Sequence, residues 1–103
     1  MPNLITTIRA ESLSVPNGNL VIFNPTLYTD GLDTADYATI TVITGALIFR
    51  IDGSVPVGLF GHRVSADSPQ DVVIRGRQAV IQFKGLAIAD TQAWVTYEII
   101  RSL

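Results

Sequence analysis

Ala38-Thr39-Ile40-Thr41-Val42-Ile43-Thr44-Gly45-Ala46-Leu47-Ile48-Phe49-Arg50-Ile51-Asp52-Gly53 is the stretch that decides the fold of this chain. Ala38, Ile40 and Val42 alternate with Thr39, Thr41 and Ile43, a β-branched run of period two. Thr44-Gly45 then reads as a turn or bulge between two adjacent strands. Beyond it Leu47, Phe49 and Ile51 point one way, and Ile48, Arg50 and Asp52 the other. Asp52-Gly53 ends the second strand in a pair suited to a tight turn.

The same grammar extends in both directions. Towards the C-terminus Val95, Tyr97 and Ile99 oppose Thr96 and Glu98. Towards the N-terminus Leu4, Thr6 and Ile8 against Ile5, Thr7 and Arg9 make a weaker first strand. Leu20 to Phe23 is apolar on both faces, which predicts a short strand covered on both sides. Pro16-Asn17-Gly18 separates it from Leu13-Ser14-Val15, and Asn-Gly predicts a type I′ hairpin there. Ser68-Pro69 breaks the chain before Val72-Val73-Ile74. Tyr28 to Tyr37 reads as a polar loop long enough to cross between sheets. Gln78 to Phe83 fits a helical turn, with Val80 and Phe83 on one face, better than a strand after the exit at Arg75-Gly76-Arg77. Turn signals about every ten residues predict a sandwich or barrel. The expectation is one all-β domain over residues 1–103, a small antiparallel β-sandwich of about eight strands, jelly-roll or Ig-like.

Composition adds a surplus. Hydrophobic residues make up 48% of the chain and charged ones 16%, where about 25% charged is usual. Even so, Ala38 to Phe49, with Thr39, Thr41 and Thr44 inside it, falls short of the ~20 apolar residues of a spanning helix. There is no cysteine, hence no disulfide or thiolate metal site, and His62 is the single histidine. Domains this small are marginal without a supplement, and oligomerisation is the one left most open. The net charge is −2, which does not favour nucleic acid as a partner. Arg9, Thr6, Thr7 and Glu11 interrupt the first apolar segment, so it does not read as a signal peptide.

Phe49-Arg50-Ile51-Asp52-Gly53 with Pro56, then Gly61-His62-Arg63, Val73-Ile74-Arg75-Gly76, Ile81-Gln82-Phe83-Lys84 and Val95-Thr96-Tyr97-Glu98 form a familiar order. It resembles small all-β virion proteins of tailed bacteriophages, over residues 40–99 and not over residues 1–36. Ala66-Asp67-Ser68-Pro69 departs from the group in lacking its turn glycine. The resemblance implies cement or decoration of a capsid shell, and brings no catalytic residues with it.

Candidate chemistry is sparse. Arg50, Asp52, His62 and Arg63 would meet if residues 46–52 and 57–64 pair as a hairpin, and a histidine beside a carboxylate can act as a general base. No serine, cysteine or second carboxylate stands at motif spacing with them. Asp52 capping its turn, with Arg50 on a solvent or interface face, is the expectation instead. Asp30, Asp33 and Asp36 recur every third residue, but without the alternating ligands of a calcium loop, so a solvated loop is expected over calcium. Arg75, Arg77 and Lys84 are the basic concentration, with only Phe83 near as a stacking group; complementarity to an acidic neighbour is favoured over nucleic acid. Phe49, Phe60, Phe83 and Tyr97 read as core, and Trp94, on the opposite alternation, as an interface anchor. Gly58 and Gly61 read as bulges or close-packing points.

Together these give a non-enzymatic phage virion protein, without cofactor or metal, made in the host cytoplasm and seated on the capsid surface. Its partners would be the major capsid protein and further copies of itself, with a trimer favoured, and neither nucleic acid nor membrane. Ile40, Val42, Leu47, Phe49, Ile51, Val95, Tyr97 and Ile99 are expected in the core. The candidate interface comprises Ile5, Ile43, Ile48, Arg50, Arg63, Arg75, Arg77, Trp94 and Ile100, with tip loops at Asn17-Gly18, Asp52 to Pro56 and Asp67 to Gln70. Another small virion subunit of tail or neck, and a carbohydrate-binding module for host attachment, are the alternatives.

Overall fold

A computed structural model describes residues 3–56, 61–67 and 71–102, with the backbone alone at residues 3, 4, 101 and 102. In chain order these form β1 (Asn3–Val15), β2 (Leu20–Val21), α1 (Pro25–Tyr28), β3 (Thr29–Asp30), β4 (Asp33–Thr34), β5 (Tyr37–Thr44), β6 (Ala46–Arg50), β7 (His62–Ser65), β8 (Val72–Arg75), α2 (Arg77–Gln82), β9 (Lys84–Ala87) and β10 (Thr91–Ser102). One antiparallel sheet has the order β1-β10-β5-β8, a second β2-β9-β6-β7, and β3 and β4 form a separate ribbon. Apart from the ribbon, each connection except that from β6 to β7 passes from one sheet to the other. That order is a jelly roll, two interlocked Greek keys, and differs from the Ig arrangement. The expected all-β antiparallel sandwich is therefore what the chain forms.

The corners explain the connectivity. Thr44-Gly45 does not join paired strands: β5 and β6 lie in different sheets, and Gly45 is the bend between them. Its φ is +85°, and a Cβ there would strike the Asp90 carbonyl and lie 2.6 Å from Thr91 Oγ1, so only glycine fits. Thr91, buried at the return corner, accepts the Ala46 N–H at 3.2 Å; its hydroxyl lies 3.0 Å from the Ala46 carbonyl and 2.9 Å from that of Ala89. One hydroxyl thus ties both corners together.

The first strand is longer than its sequence pattern suggests. Thr6 and Ile8 are shielded, yet from Glu11 onward the odd-numbered Leu13 and Val15 are the buried ones. A register shift between Thr7 and Arg9 in the pairing with β10 absorbs this change of parity. At the other end of β1 the expected hairpin is absent. β1 and β2 belong to different sheets, and Gly18 alone has positive φ, with Asn19 N–H donating to the Pro16 carbonyl at 3.0 Å. This is a type II turn at a corner, not a type I′ turn in a hairpin.

Two further expectations need correction. Leu20 and Ile22 are more than half exposed, so β2 is covered on one side only. Ile51 is 38% exposed, because β6 ends at Arg50 and Ile51 lies in the following turn. Ile40, Leu47, Phe49, Val95, Tyr97 and Ile99 are buried, and Val42 is partly so. The helical turn is present as α2, with Val80 buried. The loop from Tyr28 to Tyr37 holds the ribbon, which Ala35 N–H fixes to the Tyr28 carbonyl at 2.7 Å. Phe23 stacks on Phe83 at 4.0 Å, Phe49 lies 5.4 Å from Phe83, and Tyr97 meets Phe23 edge-on at 5.5 Å, closing the core between the sheets. Phe60, Gly58, the Ser68-Pro69 break and most of the Asp67 to Gln70 loop lie outside the described residues.

Candidate functional site

The nine candidate interface residues do not form one patch. Ile5, Ile43, Arg75, Trp94 and Ile100 belong to the outer side of the β1-β10-β5-β8 sheet. Trp94, 45% exposed, stands between Ser12 and Thr41. The next rung is Ala10, Thr96, Thr39 and Val73, small or hydroxylated apart from Val73. Hydrogen bonds tie down most of the polar groups: Thr41 donates to Asp71 at 2.7 Å, Gln92 to Ser14 at 2.9 Å, and Thr39 to Glu98 at 3.3 Å. Ile5 pairs with Ile100 beyond the end of β5. A shallow groove of about 210 Å³ there is lined by Ile5, Tyr37, Thr39, Val73, Arg75 and Glu98. Ile43, 62% exposed, sits at the register shift between β5 and β10.

Ile48, Arg50 and Arg63 lie on the outer side of the opposite sheet. There Leu20, Leu86, Ile48 and Arg63 form one rung across β2, β9, β6 and β7. Ile22 and Ile88, 57% and 39% exposed, widen this apolar surface. Leu86 and Ile48 themselves are largely shielded, and a Cβ on Gly61 would strike the Ile48 Cγ2. Sequence reasoning missed Leu20, Ile22, Leu86 and Ile88. β9 reverses the usual amphipathic signal, turning the small Gly85 and Ala87 inward and the large Leu86 outward.

The arginines divide by partner. Arg50 grips Asp52 through Nη2–Oδ2 at 2.7 Å and Nε–Oδ1 at 3.3 Å, and Asp52 also accepts the Ser54 N–H at 3.0 Å. The Arg50 hydrogen bond, then the Ser54 N–H, hold the Asp52 carboxyl far below the usual carboxylate range. The turn-capping pair expected from sequence is present. Arg77 donates to Asp36 Oδ1 at 3.0 Å, and Asp36 Oδ2 accepts the Ile100 N–H at 2.8 Å where β10 has outrun β5. Arg75 and Lys84 lie on opposite sheets, so the basic concentration of the sequence disperses in the fold.

Of the catalytic candidate, Arg50 and Asp52 are engaged with each other. β6 and β7 pair, setting His62 opposite Phe49, its ring 5.3 Å from the phenyl ring. Asp52 meanwhile holds Arg50 and Ser54. Among the described residues no three His, Asp or Glu side chains converge into a metal site, and Asp36 is held by Arg77 and Ile100. The sequence did not point to Glu11, which accepts the Tyr97 hydroxyl at 3.1 Å at the margin of the core. Burial raises its carboxyl above the usual range, against the lowering effects of Tyr97 and the Asn24 backbone. Burial, and then the Glu11 charge, push the Tyr97 phenol far up. A parity reading could not find Glu11, since the bulge in β1 decides which side it faces.

No helix among the described residues is long and apolar enough to cross a membrane. Comparison with protein-family models, curated proteins and solved structures finds no match.

Proposed function

We propose that this protein is a non-enzymatic structural component of a phage virion, a cement or decoration protein that binds the capsid exterior. The observation that carries this reading is an eight-stranded jelly roll with apolar groups exposed on both outer sheet faces, Ile5, Ile43 and Trp94 on one and Leu20, Ile22 and Ile88 on the other. A sandwich that ended at its own surface would carry mainly polar groups there. The strand order agrees with it, since jelly rolls recur among viral shell proteins, and so does the resemblance over residues 40–99. Fold alone does not assign function, so the weight rests on the faces.

Such a protein acts by linkage. Binding the assembled shell and not its loosened form converts affinity into resistance to disruption. Many copies on a symmetric lattice add avidity, and a homotrimer suits a local three-fold position. Purified protein mixed with preformed, expanded heads is expected to co-sediment with them and raise their disruption temperature. Failure to associate, under conditions where known head proteins bind, would sink this reading.

One observation favours a second reading. Trp94 is half-exposed among Ser12, Thr41 and Thr96, an aromatic platform ringed by hydroxyls that would suit a sugar. Glycan-array binding that Trp94→Ala abolishes, without head association, would make the chain a carbohydrate-binding module.

A further inference from the structure

β8 is an edge of the β1-β10-β5-β8 sheet: among the described strands it pairs with β5 alone, and without a register shift. Gly76 N–H donates to the Asp36 carbonyl at 2.7 Å, one step beyond the Tyr37–Arg75 pair. Hydrogen-bonded pairs alternate along an antiparallel ladder, so Val72, Ile74 and Gly76 turn their backbone groups to β5. Asp71, Val73 and Arg75 turn theirs the other way, a row of donors and acceptors that one more strand can join. Proteins blunt such edges with short strands, proline, bulges or lysine. β8 is short, but its Val72-Val73-Ile74-Arg75 run carries no proline, bulge or lysine.

The side chains of the same three residues stand on the outer face, and all three are exposed, Val73 by 41%. Asp71 Oδ1 accepts the Thr41 hydroxyl at 2.7 Å, a bond from a neutral group that fixes the carboxylate on that face and leaves its charge in place. Arg75 has no ion pair among the described residues. Acidic, apolar and basic groups thus follow one another with Val73 at the centre. An antiparallel copy centred on Val73 sets Asp71 opposite Arg75, Val73 opposite Val73, and Arg75 opposite Asp71. In that register the outward backbone groups also meet as hydrogen-bonded pairs. Centring the pairing on Asp71 or on Arg75 instead would set like charges against each other, which is destabilising.

We propose that two copies of this chain join edge to edge through β8, antiparallel about a two-fold axis at Val73, so that their sheets become continuous. The partner is a second copy because the row is complementary to itself, as a two-fold contact requires. Backbone pairing supplies the attraction, and the two Asp71–Arg75 pairs across the axis set the register. A short edge covers little area, so weak association is expected. This inference deepens the self-association part of the function proposed above and is independent of head binding. A two-fold contact closes at two copies, so it joins trimers in pairs where a three-fold contact also forms.

Sedimentation equilibrium of the wild-type chain tests it over a range from about 10 µM to about 1 mM, the span of a weak protein contact. Even-numbered species are expected. Asp71→Arg and Arg75→Asp each set like charges across the axis, and each is expected to weaken association at least about tenfold. Both positions are exposed, so melting temperatures close to wild type are expected. A mixed dimer of the two variants has opposite charges at both places, so an equimolar mixture is expected to associate about as tightly as wild type. A wild-type chain that stays monomeric or stops at trimers overturns the proposal. So do single variants that associate like wild type, or a mixture no tighter than its components. Co-sedimentation with heads separates the two ideas: wild-type monomers that bind heads refute this contact alone, and dimers that ignore heads refute the cement reading alone.

Discussion

At the scale of single residues, two polar side chains decide how the sandwich is held. Thr91 is buried, and its hydroxyl serves both strands of a corner. Thr91→Val keeps the shape and leaves the Ala46 N–H without its partner, an expected loss of about 1–3 kcal/mol. The check is a lower urea midpoint at unchanged m-value. Glu11 is the other. Its carboxyl is raised by burial, so the folded chain holds that proton more tightly than the unfolded chain. The stability this lends is full at low pH and is lost as pH rises through the folded value. Glu11→Gln cannot ionise, and is expected to flatten the fall in melting temperature between about pH 4 and pH 7. A pH profile identical to wild type would contradict burial as the cause. Neither residue was legible in the sequence. A lone threonine or glutamate in a strand carries no pattern, and its role exists only once a distant carbonyl or phenol is brought beside it.

At the scale of elements, local pattern was reliable where inward residues are large. β5, β6 and β10 have that character, and Ile40, Leu47, Phe49, Val95, Tyr97 and Ile99 followed from alternation alone, whereas Ile51 did not, because β6 ends before it. α2 was legible too, through the spacing of Val80 and Phe83. β9 was not, because its inward residues are Gly85 and Ala87. Turns were located correctly, but their role was misjudged: Pro16-Asn17-Gly18 and Thr44-Gly45 are corners between sheets, not hairpin ends. The two glycines nonetheless differ in what they tolerate. Gly18 has open space around it, and Gly18→Ala meets only the cost of positive φ, about 1 kcal/mol. Gly45→Ala adds a collision with the Asp90 carbonyl and the Thr91 hydroxyl, so a loss of at least about 2–3 kcal/mol is expected. Thermal melts of both variants, side by side, decide this; equal losses would mean the corner is looser than its geometry.

At the scale of the whole molecule, the apolar surplus is a matter of placement and not of area. The chain exposes 5976 Å², close to the roughly 5,700 Å² usual for a monomer of its mass. Its unusual residues lie on two opposite sheets, giving the protein two separate surfaces to offer. Trp94→Ala removes a half-exposed ring from one of them, so stability is expected to change by less than about 1 kcal/mol. Head binding is expected to fall at least about tenfold if that ring is an anchor. Titrating heads with both forms measures it, and equal affinity would move the contact elsewhere. The sequence by itself determined the class of structure, since period-two alternation and regularly spaced turns leave an antiparallel sandwich as the way to bury Ile40, Leu47, Phe49, Val95 and Tyr97. It also determined that apolar groups exceed one core. Only the tertiary structure decided the jelly-roll order, because a corner and a hairpin use the same turn residues and differ only in which sheet receives the next strand. The same choice sorted Ile5, Ile43, Trp94 and Ile100 onto one face and Ile48 and Arg63 onto the other, a division that no local pattern encodes.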